Sequence, residues 1–218
     1  MNLYPSLLNL SIEEYQQQLD LVLNSGVIKV IQVDIIDGHF ADNLTITPLD
    51  LVGIDHDELE IDFHLMTEEP MDYVRELVEI KDGLPIRAII AQVERMSFQL
   101  EYVQELKAQG WKVGLSLDLH TPVSAIDENV WDELDIIQLM TIESGFQGQK
   151  FNQHALEKII EIKKLAKKDV EIIVDGGVKA DLADLLTEYG VGGVAMGSGI
   201  WRATEPLDAI HQYSQLMS

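Results

Sequence analysis

The chain has 218 residues, of which 46% are hydrophobic, and 38 acidic against 15 basic residues give it a formal net charge of −23. Such an acidic surplus repels phosphate backbones and argues against a nucleic-acid partner, and no apolar run approaches the ~20 residues of a membrane span. No cysteine is present, which excludes disulfides and thiolate catalysis and favours a cytoplasmic location.

Strand and helix patterns alternate along the whole chain. The first is the apolar run Tyr4–Leu8, in an opening segment that lacks the basic region of a signal peptide. Ser11 and Glu14 follow at the spacing of a helix capping box, and Gly26 ends this predicted helix. Short apolar or β-branched runs predict seven further strands, at Val27–Asp34, Glu60–Leu65, Pro85–Ile90, Lys112–Leu117, Asp135–Met140, Val170–Asp175 and Gly193–Met196.

Helical patterns fall between these strands. In one of them Phe98, Tyr102 and Leu106 are spaced along one face of a helix that Gly110 ends. The other predicted helices begin at Pro70, cover Ser124–Trp131, Asn152–Ala166 and Leu182–Gly190, and close the chain from near Ile200.

About eight strand–helix units require parallel strands joined by right-handed crossovers. Eight such units close into a (β/α)8 TIM barrel, which we predict as one α/β domain over residues 1–218. A doubly wound open sheet is the alternative, but the segment after the first strand lacks its G-x-G-x-x-G turn. Because a barrel gathers its active site at the strand carboxyl ends, we expect one cavity to receive Ser6, Asp34, His64, Glu94, Asp118, Thr141, Asp175 and Gly197.

Two aspartates and one histidine carry the predicted chemistry. Asp34 and Asp175 end strands two and seven, which we expect roughly across the barrel from each other, so their carboxylates could flank one substrate carbon as acid and base. The alternative is that each aspartate only caps the following segment. His64 ends strand three, and an imidazole beside two carboxylates makes a divalent-metal site, although a lone histidine there is often a core residue. His56 is expected at the surface.

Glycine-bearing stretches follow the last three strands. Gly145 and Gly148 come after strand six, Gly176 and Gly177 after strand seven, and Gly197–Gly199 after strand eight. Glycine lets the backbone approach a phosphate closely, and a phosphate site at this end recurs in the fold, although tight turns alone also use glycine. The segment 143–150 is long enough to close over a substrate.

Several of these stretches together resemble one family. The segments PSLL, VDIIDGHF (Val33–Phe40), DFHLM (Asp62–Met66), MTIESGFQGQKF (Met140–Phe151) and VDGGV (Val174–Val178) match ribulose-phosphate 3-epimerases in order and spacing, as do Thr121–Pro122 and MGSGIW. The resemblance covers nearly the whole chain and implies a barrel of the ribulose-phosphate-binding type.

The resemblance implies epimerisation of D-ribulose 5-phosphate to D-xylulose 5-phosphate through a cis-enediolate, in pentose phosphate metabolism, by a cytoplasmic homo-oligomer. Asp34 and Asp175 would be the acid and base, and with His64 they would bind one divalent metal, Zn²⁺, Fe²⁺ or Mn²⁺. The implied substrate contacts are Ser6, His64, Gly145, Phe146, Gln147, Gly148, Gly176, Gly177, Gly197 and Ser198.

The chain departs from the family pattern at the site. Gln32 stands where the family has a fourth metal ligand, a histidine, and a carboxamide oxygen is a weaker ligand than imidazole for Zn²⁺. Gln147 replaces a loop glycine. Three readings follow: an epimerase with a modified metal site, an epimerase of a hexulose 6-phosphate, or a non-catalytic sugar-phosphate-binding relative. An aldolase or decarboxylase would require a lysine at a strand end, and Lys179 is expected on the next helix.

Overall fold

Eight parallel strands form a closed barrel in a computed structural model that describes residues 1–143, 148–166 and 169–217. Each strand pairs with its sequence neighbours, and β8 pairs with β1 to close the barrel. The predicted fold class, a (β/α)8 barrel, is therefore confirmed. The strands are β1 (Asn2–Leu7), β2 (Val30–Ile36), β3 (Glu60–Met66), β4 (Ile86–Gln92), β5 (Lys112–Leu117), β6 (Ile136–Met140), β7 (Glu171–Asp175) and β8 (Gly193–Met196).

Helices cover the outside of the barrel. They are α1 (Ile12–Ser25), α2 (Pro70–Ile80), α3 (Gln99–Gln109), α4 (His154–Leu165), α5 (Ala183–Glu188), α6 (Ser198–Trp201) and α7 (Pro206–Met217). The predicted cap of α1 is confirmed, because the Ser11 hydroxyl accepts a hydrogen bond from the Glu14 backbone N–H at 3.2 Å. Within the described residues, β2 and β5 are followed by 3₁₀ turns in place of α-helices. Six strand–α-helix units are therefore present in this part of the chain, where about eight were expected.

The helix predicted at Ser124–Trp131 is wrong, and Gln99 explains why. Short 3₁₀ turns occupy Val123–Ala125 and Trp131–Glu133. The Gln99 side chain donates to the Ala125 carbonyl at 2.7 Å and accepts from the Asp127 N–H at 2.9 Å. Since these bonds engage the backbone groups that a helix would use internally, the segment is held as an irregular connection.

Alternate residues of each strand face the barrel interior, as the two-residue period requires. An apolar layer fills the middle of the barrel with Tyr4, Val30, Ala88, Ile90, Ile136, Ile173 and Ala195. Below it, toward the amino ends of the strands, the buried Asp62 carboxylate pairs with Arg87. Above it lie Gln32, His64 and their polar neighbours. The apolar layer separates the two polar ends, so the upper end alone holds the predicted site residues.

His56 is buried, contrary to the sequence expectation. It is 4% exposed, and its Nε2 lies 2.8 Å from the Tyr15 hydroxyl of α1. Burial lowers the pKa of His56, so the fold favours the neutral imidazole. A contact between distant segments therefore decides the environment of this residue.

No helix in the described parts of the chain combines the length and the apolar character that crossing a bilayer requires.

Candidate active site

Asp34, His64 and Asp175 meet in one buried group at the upper end of the barrel. His64 Nδ1 lies 3.1 Å from Asp34 Oδ1 and 3.7 Å from Asp175 Oδ2, and the imidazole is fully buried. Two strands, β1 and β8, lie between β2 and β7 on the shorter way around the barrel, whereas three would separate directly opposite strands. The two carboxylates nonetheless line the same cavity.

Gln32 lies at the centre of this group. Its Nε2 donates to Asp34 Oδ1 at 2.9 Å and to Asp175 Oδ2 at 2.8 Å, and it stands 3.5 Å from His64 Nδ1. Gln32 and Asp34 are two residues apart on β2, so both side chains point into the barrel. The amide bridges two negative charges that would otherwise repel each other.

Three further polar side chains surround the group. The Ser6 hydroxyl donates to Asp34 Oδ2 at 2.6 Å, and Gln138 Nε2 donates to Asp175 Oδ2 at 2.9 Å. Gln92 Nε2 lies 3.0 Å from His64 Nε2. Sequence reasoning selected Ser6 but missed both Gln92 and Gln138. The available signal was an amide side chain at an inward position beside apolar strand residues.

The surroundings raise the pKa values of both Asp175 and His64. Burial, followed by the nearby charge of Asp34, raises the pKa of Asp175 to about 7, against the opposing effects of His64 and Gln32. Burial disfavours a charged His64, but the hydrogen bond and charge of Asp34 and the charge of Asp175 outweigh it and raise the imidazole pKa above its ordinary value. A carboxyl group that titrates near neutrality is suited to both accepting and donating a proton.

The donor set fits a divalent cation. Asp34, His64 and Asp175 each offer one ligand atom, and these atoms lie within 4.8 Å of one another. Two carboxylate oxygens and one imidazole nitrogen are suitable ligands for Zn²⁺, Fe²⁺ or Mn²⁺. The Gln32 amide presents hydrogen atoms to the same space, so in this orientation it is not a ligand.

A cavity opens above the carboxylates toward the loops after β6, β7 and β8. Its lining includes the two predicted catalytic residues, Asp34 and Asp175, and most of the described residues predicted to contact substrate: Ser6, Gly148, Gly176, Gly177, Gly197 and Ser198. His64 lies beneath this lining, fully buried. The predicted contacts Gly145, Phe146 and Gln147 lie outside the described residues, as does half of the expected closing segment 143–150.

Gly177 shows why a glycine is needed at the mouth of this cavity, where it opens toward the loops after β6, β7 and β8. Its φ is +66°, a left-handed conformation that side chains rarely adopt. A Cβ there would also collide with the Phe151 backbone nitrogen and the Lys150 carbonyl carbon. The turn after β7 and the segment before α4 therefore approach each other backbone to backbone beside the cavity.

Not every predicted strand-end residue reaches this cavity. Glu94 and Asp118 line a neighbouring depression with His120, and Glu94 accepts a hydrogen bond from the Asp118 N–H at 2.7 Å. Thr141 is buried, and its hydroxyl donates to the Asp175 carbonyl at 3.0 Å. The expectation of one common cavity is thus wrong for Glu94 and Asp118, which line the neighbouring depression, and for Thr141, whose buried hydroxyl bonds to the backbone of β7.

Comparison with known proteins places the chain in a family. The sequence model of the ribulose-phosphate 3 epimerase family matches residues 2–201. A ribulose-phosphate 3-epimerase of Bacillus subtilis is 37% identical over 213 residues, covering 95% of each chain. The cytoplasmic isoform from Oryza sativa is 34% identical and covers 94% of this chain and 90% of the relative.

Solved structures confirm the barrel fold. The 3-hexulose-6-phosphate synthase of Salmonella typhimurium superposes with a TM-score of 0.69 over 100% of this chain and 98% of the other, at 15% identity. At that identity the likeness concerns the fold alone. The family match and the two sequence relatives carry the assignment, and the chain belongs to the ribulose-phosphate 3 epimerase family.

Proposed function

We propose that the protein epimerises a ketose phosphate at C3 and interconverts D-ribulose 5-phosphate and D-xylulose 5-phosphate. The observation that carries this proposal is the convergence of Asp34 and Asp175 on one cavity, with His64 between their carboxylate oxygens. Family membership supports the same reaction class. An isomerase of this kind needs two proton-transfer groups that reach one carbon from opposite faces.

The reaction then proceeds in two proton transfers. One carboxylate accepts the proton from C3, and the bonding electrons delocalise onto the carbonyl at C2 to give a cis-enediolate. The other carboxyl group donates a proton to the opposite face of C3, which inverts its configuration. Asp175 suits either role because its pKa lies near 7, and the Ser6 hydroxyl holds Asp34 in position through Oδ2.

A divalent cation, Zn²⁺, Fe²⁺ or Mn²⁺, held by Asp34, His64 and Asp175 would stabilise the negative charge that develops on the enediolate oxygens. We propose that the phosphate lies at the opening of the cavity, near the backbone of Gly148, Gly176, Gly177, Gly197 and Ser198, and that Gly145, Phe146 and Gln147 also contact the substrate. Backbone N–H groups suit this task in a chain of net charge −23, since they bind an anion without a cationic surface.

A non-catalytic sugar-phosphate-binding protein is the second candidate. Gln32 favours it, because the amide bridges the two carboxylates that the reaction requires and replaces the expected fourth ligand. A hexulose 6-phosphate is the alternative substrate for an active enzyme.

Carbon-13 NMR of the purified protein with D-ribulose 5-phosphate tests the proposal. We expect xylulose 5-phosphate to accumulate to equilibrium after loading with at least one of Zn²⁺, Fe²⁺ and Mn²⁺. A hexulose 6-phosphate assayed in parallel identifies the preferred substrate. No conversion of either sugar with any of the three metals, together with sugar-phosphate binding by calorimetry, would favour the non-catalytic candidate.

We propose a cytoplasmic homo-oligomer. The rice relative is named a cytoplasmic isoform, whereas a 33% identical relative from Arabidopsis thaliana is named chloroplastic, so the family does not fix the compartment. Light scattering in solution would measure the subunit number.

A further inference from the structure

The position of the Gln32 amide has a consequence for the cation that this site prefers. The residue is 1% exposed, and its Nε2 stands 2.9, 2.8 and 3.5 Å from the candidate ligand atoms of Asp34, Asp175 and His64. The amide nitrogen thus lies among the three atoms that would hold a metal. An amide N–H₂ group donates hydrogen bonds and does not ligate cations, whereas the amide oxygen does ligate them. A cation and the present amide orientation are therefore mutually exclusive.

The surrounding amides show the same orientation toward the acidic group. Gln138 Nε2 donates to Asp175 Oδ2 at 2.9 Å, and Gln92 Nε2 lies 3.0 Å from His64 Nε2. The carbonyl oxygens Gln92 Oε1 and Gln138 Oε1 are buried and have no hydrogen-bond partner among the described residues. Buried acceptors without partners are uncommon. Gln32 and Gln138 thus direct their amide hydrogens at the two carboxylates.

We propose that Gln32 sets the cation preference of this site. Turned about its last side-chain bond, the amide offers Oε1 in place of N–H₂, and the donor set becomes three oxygens and one imidazole nitrogen. Carbonyl and carboxylate oxygens suit Mn²⁺ and Mg²⁺, whereas a second imidazole in the same place suits Zn²⁺ and Fe²⁺. The site therefore favours Mn²⁺ relative to Zn²⁺ more than a site with two histidines does. This inference deepens the proposed function, since the cation is the one that the reaction would use.

Cation binding by the metal-stripped full-length protein tests the inference without any turnover. Free Mn²⁺ is measured by its electron paramagnetic resonance signal, and Zn²⁺ by competition with a chromophoric chelator. We expect wild type to bind Mn²⁺, and Gln32→His to shift the ratio of Zn²⁺ to Mn²⁺ affinity toward Zn²⁺ by roughly tenfold or more. Gln32→Leu, which removes the oxygen, is expected to weaken Mn²⁺ binding by about 10- to 100-fold.

Two further variants control the experiment. Gln104→His adds an imidazole on the exposed face of α3 and should leave both affinities unchanged. Gln32→Glu keeps the side-chain length and an oxygen ligand, so it should bind Mn²⁺ at least as well as wild type without the shift toward Zn²⁺. If Gln32→His does not fold by circular dichroism, the Leu and Glu variants still decide the matter.

Three results would overturn the inference: wild type that binds no Mn²⁺, an affinity ratio that is the same in wild type and Gln32→His, or undiminished Mn²⁺ binding by Gln32→Leu. The sugar-phosphate assay tests the proposed function independently of the cation-binding measurements. A shifted ratio without conversion would reject the epimerase alone, and conversion with an unshifted ratio would reject this inference alone.

Discussion

Replacing Arg87 by methionine is expected to destabilise the barrel without changing its upper end. The Asp62 carboxylate is 1% exposed, and Arg87 Nε donates to Asp62 Oδ1 at 2.7 Å while Nη2 contacts Oδ2. The guanidinium also lies 5.1 Å from the ring centre of Tyr4. Burial already raises the pKa of Asp62, and Arg87 opposes that rise. Arg87→Met would leave a buried carboxyl group without its partner.

The magnitude follows from the burial of the pair. Removing one partner of a buried ion pair costs about 3–5 kcal/mol. For a domain of this size each kcal/mol lowers Tm by roughly 2–4 °C, so we expect a decrease of roughly 6–20 °C. Arg75→Met is the matched control, since Arg75 pairs with Asp72 and Glu101 on the surface with its side chain 62% exposed. Such exposed pairs contribute about 0–1 kcal/mol.

Differential scanning calorimetry and urea unfolding measure both variants. The double variant Asp62→Asn/Arg87→Met should recover most of the loss, because a neutral amide is less costly to bury than an unpaired carboxylate. Epimerisation at 25 °C should be unchanged in Arg87→Met, since the apolar layer around Ile90 separates this pair from the site. Equal Tm values for Arg87→Met and Arg75→Met would refute the reasoning, and so would a loss of activity in the folded Arg87→Met variant.

Two further substitutions test the mouth of the site and the buried histidine. Gly177→Ala is expected to lower kcat/KM roughly tenfold, because left-handed strain of about 1–2 kcal/mol adds to the collision with Phe151. Gly110→Ala is the control: Gly110 has a similar φ but open space around the position of a Cβ, so this variant should lose stability and keep its kinetics. Since His56 has a lowered folded pKa, its contribution to stability is present above its ordinary pKa of about 6.5 and is lost as pH falls below it. Urea unfolding between pH 8 and 5 should therefore show a smaller acid loss for His56→Gln than for wild type, and identical slopes would contradict the assignment.

The sequence predicted the barrel and its acidic group because both depend on local patterns. Asp34, His64 and Asp175 lie at or near the carboxyl ends of their strands, and closing a parallel sheet brings such ends together. The environment of His56 could not be predicted, because it depends on Tyr15 of a different element. The failed helix at Ser124–Trp131 has the same cause, since its backbone bonds go to a side chain of α3.

Gln92 and Gln138 illustrate a second limit. Gln138 is the one polar residue of β6, and Gln92 ends β4 after a run of apolar residues. The strand pattern does not say which partner each amide meets on the neighbouring strand. Their bonds to His64 and Asp175 depend on the register of four different strands. Likewise, the sequence identified Gln32 as a departure from the family pattern, but only the packed barrel puts its amide between the two carboxylates.

The most direct test of the account is hydrogen exchange at C3 of D-ribulose 5-phosphate in deuterated water, followed by NMR. Wild-type protein should incorporate solvent deuterium at C3 as xylulose 5-phosphate forms. Asp34→Asn and Asp175→Asn should each slow interconversion by about 10²–10⁴-fold, the contribution of one positioned acid or base. Wild-type rates of deuterium incorporation and epimerisation in either variant would contradict the claim that these two carboxylates act on opposite faces of one carbon.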